Sequence, residues 1–435
     1  MKRYVLISLG IGVLIALVVL ILYFLRVFEL PGAWLNQVFT SRGIYPSGMT
    51  PDRLVWAEVS VIAMMAIWIC WCLSDLSQVS QKLIIGVIFA IIVFGISPSL
   101  ALYGIFFEPF SSVSAVILAA LASLGLAGSE LGKRKRTLEM VLGRRVSQQT
   151  FNELMEAPKP PVFEGHTKDV TILTCRIFNR TELVESLPPA DFLKMTNLFR
   201  RVISGFLATK GAYLDEAGPE LIRAHFGLLR SDTDHAGKAI RAALDLRAAL
   251  KTLNQECLGR WNEELRAGVG ISSGEVVAGI YGSKEHFFLS GIGPEVDFSR
   301  RLSKANVQYG SDLLIGPKTF VLVQEMVEVR PMEMFYDPET GSMTEIYQLL
   351  ALKEDFGENN RQLRDHYWQG VILFREKKYL EAIESFSKAR IPGKDDGPLE
   401  YFISRVQEKL SESRSENESK SQLTGEGHSR LLGNL

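Results

Sequence analysis

The sequence predicts an all-α membrane-spanning region, then an α+β domain of helices packed on a mixed sheet, then a short helical segment. Three observations carry this prediction. Four long apolar stretches crowd the first 128 residues, short apolar strands alternate with amphipathic helices from Thr167, and beyond residue 351 only helical periodicity remains. The 435 residues suffice for two or three domains. A net charge of −1 and a pI near 6.6 give no overall basic bias toward nucleic acid, and no nucleic-acid partner is expected. Cys70, Cys72, Cys175 and Cys257 are spaced neither for zinc nor for a disulfide framework, and read as reduced structural thiols.

The membrane region is residues 1–128. Tyr4–Leu25 follows Lys2 and Arg3 and is long enough, at about 1.5 Å per residue, to cross a hydrocarbon core of about 30 Å. It is too long for a signal-peptide core and lacks a small-residue cleavage site, so it reads as an uncleaved anchor. Leu54–Leu73, Leu83–Phe107 and Ser111–Leu126 follow as three further spans. The basic run Lys133-Arg134-Lys135-Arg136, with Arg144 and Arg145, belongs on the cytoplasmic side. Four spans then put both termini in the cytoplasm of a multi-pass cell-membrane protein. The outward loop Phe28–Arg53 is too short for a sizeable sensor domain. Glu58 lies inside the second span, where a carboxylate is costly; it reads either as a proton or ligand site or as a tie to the interface or a neighbouring helix.

Residues 129–166 read as a linker. Ser129–Glu156 is polar, basic and compatible with helix, and Pro158, Pro160 and Pro161 break it. The α+β domain spans 167–351. Its expected elements are a strand at Asp169–Thr174, a helix at Pro189–Thr209 and a hairpin with arms Ala212–Asp215 and Glu220–Phe226. A helix His235–Gln255, a strand Arg266–Ser272 and a Gly-rich turn region Gly274–Gly282 come next. A helix Glu295–Ala305, a strand Asp312–Ile315 and a closing strand Glu345–Leu350 complete it. Neither a Rossmann glycine signature nor a Walker A loop is present.

Several segments of this domain carry a resemblance. The entry segment LGRRVSQQTFNELM (142–155), the Ala-rich helix HAGKAIRAALDLRAAL (235–250), GVGISSGEVVAGIYGS (268–283) and GIGPEVDFSRRLSKANVQYGSDLLIG (291–316) together resemble the class III adenylate/guanylate cyclase domain. The resemblance runs from about Leu142 to Leu350 and implies a ferredoxin-like α+β fold. With its membrane region, the chain is similar to bacterial cyclases of CHASE-type architecture whose sensor is reduced to a short loop. Such enzymes convert a nucleoside triphosphate to a cyclic nucleotide and pyrophosphate as the ribose 3′-oxygen attacks the α-phosphorus, the developing charge being met by two metal ions.

The family pattern can be laid on this sequence position by position. Mg²⁺ takes hard oxygen ligands, so two carboxylates must converge from neighbouring strands. Aligning VTIL (170–173) and Thr181 puts Arg176 at the first metal-binding position, and a guanidinium can neither ligate a cation nor lose its proton. AGPELIRAHFG (217–227) puts Pro219-Glu220 at the second, keeping a charge on a longer arm. The base-reading positions fall on Glu216, which resembles guanine-reading enzymes but also reads as a solvated hairpin charge, and on Ser290. Of the two transition-state positions, the asparagine is replaced by Asp297 and the arginine survives as Arg301. Asp297 and Arg301 also stand i,i+4 with the acid first, a helix-surface pair of about 0.3–0.5 kcal/mol. Arg176 and Glu220 are expected on adjacent strands as an ion pair in the metal's place. The glycines of 268–282 read either as a phosphate cradle or as turn geometry.

In the C-terminal part, WQGVILFREKKYLEAIESFSKA (368–389) resembles one tetratricopeptide repeat through Gly370, Tyr379, Ala382, Phe386 and Ala389. With a helix at Pro398–Leu410 it forms a helical segment over 352–410, and the Ser/Glu-rich tail 411–435 reads as disordered. The expectation is a membrane-anchored cyclase-like signalling protein that has lost metal catalysis. No cofactor is expected, with Mg or Mn required if the site is active. The resemblance implies a homodimer, or a heterodimer with another cyclase-like chain, with ATP or GTP as the nucleotide. An active adenylate or guanylate cyclase and a membrane scaffold that binds no nucleotide are the rival readings.

Overall fold

A run of some twenty apolar residues in hydrocarbon satisfies its peptide groups only as an unbroken helix or in a closed barrel. The computed structural model describes residues 2–46, 50–76, 79–158, 161, 163–283, 286–337 and 341–412. Four of its helices are long and apolar enough to cross a membrane: Tyr4–Phe24, Val55–Ser74, Ser80–Ala101 and Pro109–Gly128. The chain divides into two compact units, Met1–Gly143 with Gln148–Pro160, and Arg144–Ser147 with Pro161–Leu435.

The first unit contains α1 (Lys2–Phe24), α2 (Glu29–Ser41), β1 (Asp52–Arg53), α3 (Val55–Asp75), α4 (Val79–Ala101), β2 (Ile105–Phe106), α5 (Pro109–Gly128), α6 (Glu130–Leu142) and α7 (Gln148–Glu156). The loop after the first span is therefore partly helical. The third apolar stretch does not run to Phe107 as a helix: Gly104 adopts φ +77°, and β2 pairs in parallel with β1. Gly12 sits so close to α3 that a Cβ there would stand 2.8 Å from the Ile67 Cα, the small-residue contact by which apolar helices approach each other. Glu58 is a tie between elements. Its carboxylate accepts from the Tyr23 hydroxyl of α1, from Arg53 Nε at 3.1 Å and from the Glu108 amide at 2.8 Å. Of its two sequence readings, the link to neighbouring elements is the one the packing displays.

The second unit contains β3 (His166–Ile177), α8 (Arg180–Ser186), α9 (Pro189–Thr209), β4 (Tyr213–Ala217), β5 (Leu221–Phe226), α10 (His235–Trp261), β6 (Ala267–Gly282), β7 (Phe287–Ile292), α11 (Pro294–Tyr309), β8 (Leu313–Ile315), α12 (Pro317–Val323), β9 (Val327–Asp337), β10 (Ser342–Leu352), α13 (Glu358–Arg375) and α14 (Tyr379–Ala389). Its sheet has the order β4-β5-β3-β6-β8-β10-β9 among the described residues, with β7 added to β6. The pairs are antiparallel except β6 with β8, so the sheet is mixed. The apolar run of β3 lies inside the sheet and is buried on both faces. On one face Leu173, Cys175 and Ile177 join the core of α9 and α10; on the other, Thr174 bonds Ser299 of α11 at 2.9 Å. Burial pushes the Cys175 thiol up to about 12 and the Cys257 thiol up to about 11, so both act as small core residues.

The segment expected to be a Gly-rich turn at Gly274–Gly282 is strand: β6 runs on to Gly282 and pairs with β7, which the sequence reading lacked. Of the two readings of these glycines, turn geometry is not what accounts for them, since they lie within a strand. Gly268, Gly270 and Ser272 alternate along one face of β6, and α11 lies on that face because the residues are small. A Cβ on Gly270 would collide with the Ser299 carbonyl and the Ser303 amide and stand 2.7 Å from the Leu302 Cβ. Gly270→Ala is therefore expected to destabilise this unit by about 3 kcal/mol, read as a lower urea midpoint. An unchanged midpoint would show that α11 is not seated this closely.

C-terminally, α13 and α14 form a hairpin in which Gly370 abuts the Phe386 ring, and a third helix covers 397–412. These helices are fastened to β9 by Arg330 to Asp396 (2.7 Å) and Arg405 to Glu333 (2.8 Å). The tail from 413 onward lies outside the described residues.

Candidate functional site

Strand register sets the first part of the site. Arg176 stands opposite Leu221 on β5 and Gly268 on β6, and the Ile177 amide bonds the Glu220 carbonyl at 2.9 Å. Side chains alternate along β3, so Arg176 shares the face of Thr174, which is the α11 face. Glu220, just before β5, receives Arg176 Nη2 on one carboxylate oxygen and Arg180 Nη1 on the other, the latter at 3.2 Å. About a quarter of each of the Arg176 and Glu220 side chains is exposed, so the pair forms the wall of an opening and not its floor.

That opening is a cavity of about 640 Å³ lined by Arg176, Arg180, Glu220, Arg301 and Lys304 together with Ile177, Phe178, Thr181, Ala305, Val307 and Gln308. Arg301 and Lys304 are three apart on α11, so they share one helix face. Arg301 lies 5.4 Å over the Phe298 ring. No Asp297–Arg301 ion pair forms among the described residues. The i,i+4 spacing permits the pair, but the guanidinium stacks on the aromatic ring of the intervening turn. Asp297 is exposed in the first turn of α11, where the helix dipole favours an acid.

The base-reading positions lie elsewhere. Glu216 is half exposed on β4 and pairs with Arg223 Nη1 at 3.3 Å, so it is neither a lone solvated charge nor a free acceptor. Ser290 is buried on β7. Between them stands Asp215, the extra residue of a register shift between β4 and β5. It is buried, receives Arg223 Nε at 2.7 Å and Nη2 at 2.6 Å, and lies 3.3 Å from His225 Nε2. Burial alone pushes the Asp215 carboxyl up. The hydrogen bond and charge of His225, the Arg223 charge and the Ser290 hydroxyl outweigh burial and bring it down to about 2.

One cavity thus brings together Arg176, Glu220 and Arg301, while Glu216, Ser290 and Asp297 do not line it. Sequence reasoning missed Arg180 and Lys304, whose only signals were their distances of four and three residues from Arg176 and Arg301. It also missed Asp215, Arg223 and His225, whose strand alternation looks like ordinary hairpin chemistry.

The donor set does not fit a divalent metal. Mg²⁺ is bound through several oxygens, and the two positions expected to supply them hold one carboxylate already engaged by two guanidiniums. Among the described residues, no group of three or more His, Cys, Asp or Glu is placed to hold a metal ion.

Residues 162–305 match the family model described as the adenylate and guanylate cyclase catalytic domain. Adenylate cyclase 1 of Rhizobium meliloti is 24% identical over 185 residues, covering 42% of this chain and 28% of that protein. An adenylate cyclase of Anabaena cylindrica is 26% identical over 153 residues, covering 34% of this chain and 30% of that protein. The chain thus spans under a third of the length of these relatives. The solved structure of the adenylyl cyclase CyaB from P. aeruginosa is 22% identical with a TM-score of 0.41, covering 45% of this chain and all of that one.

Proposed function

We propose a membrane-anchored, cyclase-like signalling protein without metal-dependent catalysis, its residues 162–305 belonging to the class III adenylate and guanylate cyclase family. The reading rests on one observation, the Arg176–Glu220–Arg180 bridge, which occupies the two positions that the family resemblance assigns to the metal ligands. Attack on the α-phosphorus relies on divalent cations to activate the nucleophile and neutralise developing charge. Two guanidiniums beside a single carboxylate repel such cations and consume the one ligand present.

The protein then acts through dimerisation or nucleotide binding, as a homodimer or with another cyclase-like chain. Val277, Phe288 and Ile292 share one face of the β6–β7 arm and are exposed, which supports a partner on that face. Four apolar helices followed by Lys133–Arg136 support a multi-pass cell-membrane protein with cytoplasmic termini. The Gly370–Phe386 contact supports a single tetratricopeptide-like hairpin after the cyclase-like domain.

The test is an assay of the full chain with ATP or GTP and either Mg²⁺ or Mn²⁺. Cyclic nucleotide is expected to stay at the level of a protein-free control; metal-dependent formation by the chain alone would sink the reading. A second reading, in which an intact cyclase partner supplies the metal ligands, is favoured by Arg301, which is exposed and shares its cavity with no complete metal site. Cyclic nucleotide formed only by a co-purified pair, and lost on Arg301→Ala, would establish it.

A further inference from the structure

We propose that the α8–α11 cavity binds condensed phosphate, either free pyrophosphate or the phosphate tail of a nucleotide, without any divalent metal. This rests on the reading that the metal centre is lost, and it assigns the space a ligand. Four cations, Arg176, Arg180, Arg301 and Lys304, line the cavity against one carboxylate, Glu220, which leaves a net charge of +3. Glu220 engages one nitrogen on each of two guanidiniums. A guanidinium carries five N–H donors, so each fork keeps donors for a second acceptor. Arg301 and Lys304 have no carboxylate within ion-pair distance among the described residues.

Paired guanidiniums and a lysine are what phosphate oxygens select: planar forks that bind two oxygens at once, and a point charge that follows the remainder. The opening is wide enough for the ligand at about 640 Å³, and Phe178, Ile177 and Val307 give it apolar walls that strengthen charge interactions. Glu220 then holds Arg176 and Arg180 side by side against their mutual repulsion. The charge reversal at position 176 has a consequence for metals. Where carboxylates need Mg²⁺ to accept a phosphate, these side chains need the phosphate free of it, because bound Mg²⁺ neutralises the oxygens they would grip.

Calorimetric titration of the full chain in detergent with inorganic pyrophosphate tests this, once in EDTA and once in excess Mg²⁺. Binding is expected in EDTA and to weaken at least about tenfold with Mg²⁺. Arg176→Gln is expected to weaken it about tenfold and Lys304→Gln about threefold, and both effects should shrink at high salt. ATP and GTP titrated in EDTA should bind about as well as pyrophosphate. A flat trace in EDTA, binding that requires Mg²⁺, or nucleotide binding without pyrophosphate binding would each overturn the proposal. If Arg176→Gln fails to fold, Lys304→Gln at its exposed position carries the same test. The cyclase assay stands apart: metal-dependent cyclic nucleotide overturns the loss of catalysis, whereas a flat titration in EDTA overturns this proposal alone.

Discussion

Arg176→Asp/Arg180→Ala is expected to convert a site that repels divalent cations into one that Mn²⁺ stabilises. In EDTA the variant loses the bridge and sets two carboxylates on neighbouring strand ends. The pair is about three-quarters buried, between exposed pairs worth under about 1 kcal/mol and buried pairs whose loss costs about 3–5 kcal/mol. A cost of about 2 kcal/mol is expected, a melting temperature about 4–8 °C lower for a unit of this size. Mn²⁺ at a hundredfold over its Kd would return about 2.7 kcal/mol. The wild-type melting temperature should not respond. Arg176→Asp alone should recover less, because Arg180 still occupies Glu220. If Mn²⁺ fails to raise the melting temperature of the double variant, positions 176 and 220 do not converge as metal positions.

Asp215→Asn is expected to cost about 3 kcal/mol, more than any surface substitution in the domain, because it sets a neutral amide against His225 and Arg223 and leaves Arg223 only its half-exposed partner Glu216. It also changes the acid limb of the stability profile. The folded carboxyl lies at about 2, below its usual value of 3.8. A depressed carboxyl contributes stability that is present above about pH 4 and lost as pH falls toward 2, amounting to about 2 kcal/mol. Urea midpoints between pH 5 and pH 2 would read both effects. The wild type should lose stability across that window through this group, and Asp215→Asn should start lower and fall less steeply. Equal slopes for the two proteins would show that Asp215 is not held ionised by its neighbours.

Much of the site could be read in the chain because it depends on aligned positions within single strands and one helix. Arg176 at the end of β3, Glu220 just before β5 and Arg301 on α11 were singled out by the resemblance to the family's segments, and all three line one cavity. Arg180 and Lys304 escaped because their value lies in where α8 and α11 come to rest. Asp297 and Arg301 misled in the opposite way, since correct helical spacing did not foresee that Phe298 would capture the arginine. The glycines of 268–282 read as a phosphate cradle or as turn geometry, although the spacing of two between 268 and 270 is that of a strand face. What distinguishes the cases is the helix lying above them, 30 residues later in sequence.

The sequence alone determined the four membrane-length helices and most elements of the α+β domain, because apolar period and length are local properties, while the reading of position 176 as a reversed charge came from the family resemblance. Only the tertiary structure decided that Glu216 is engaged by Arg223, that Glu58 ties three elements together, and that four cations share one cavity with a single carboxylate. Those outcomes depend on distances between residues far apart in the chain, and a strand or helix pattern fixes a side chain's face without specifying what will stand opposite it.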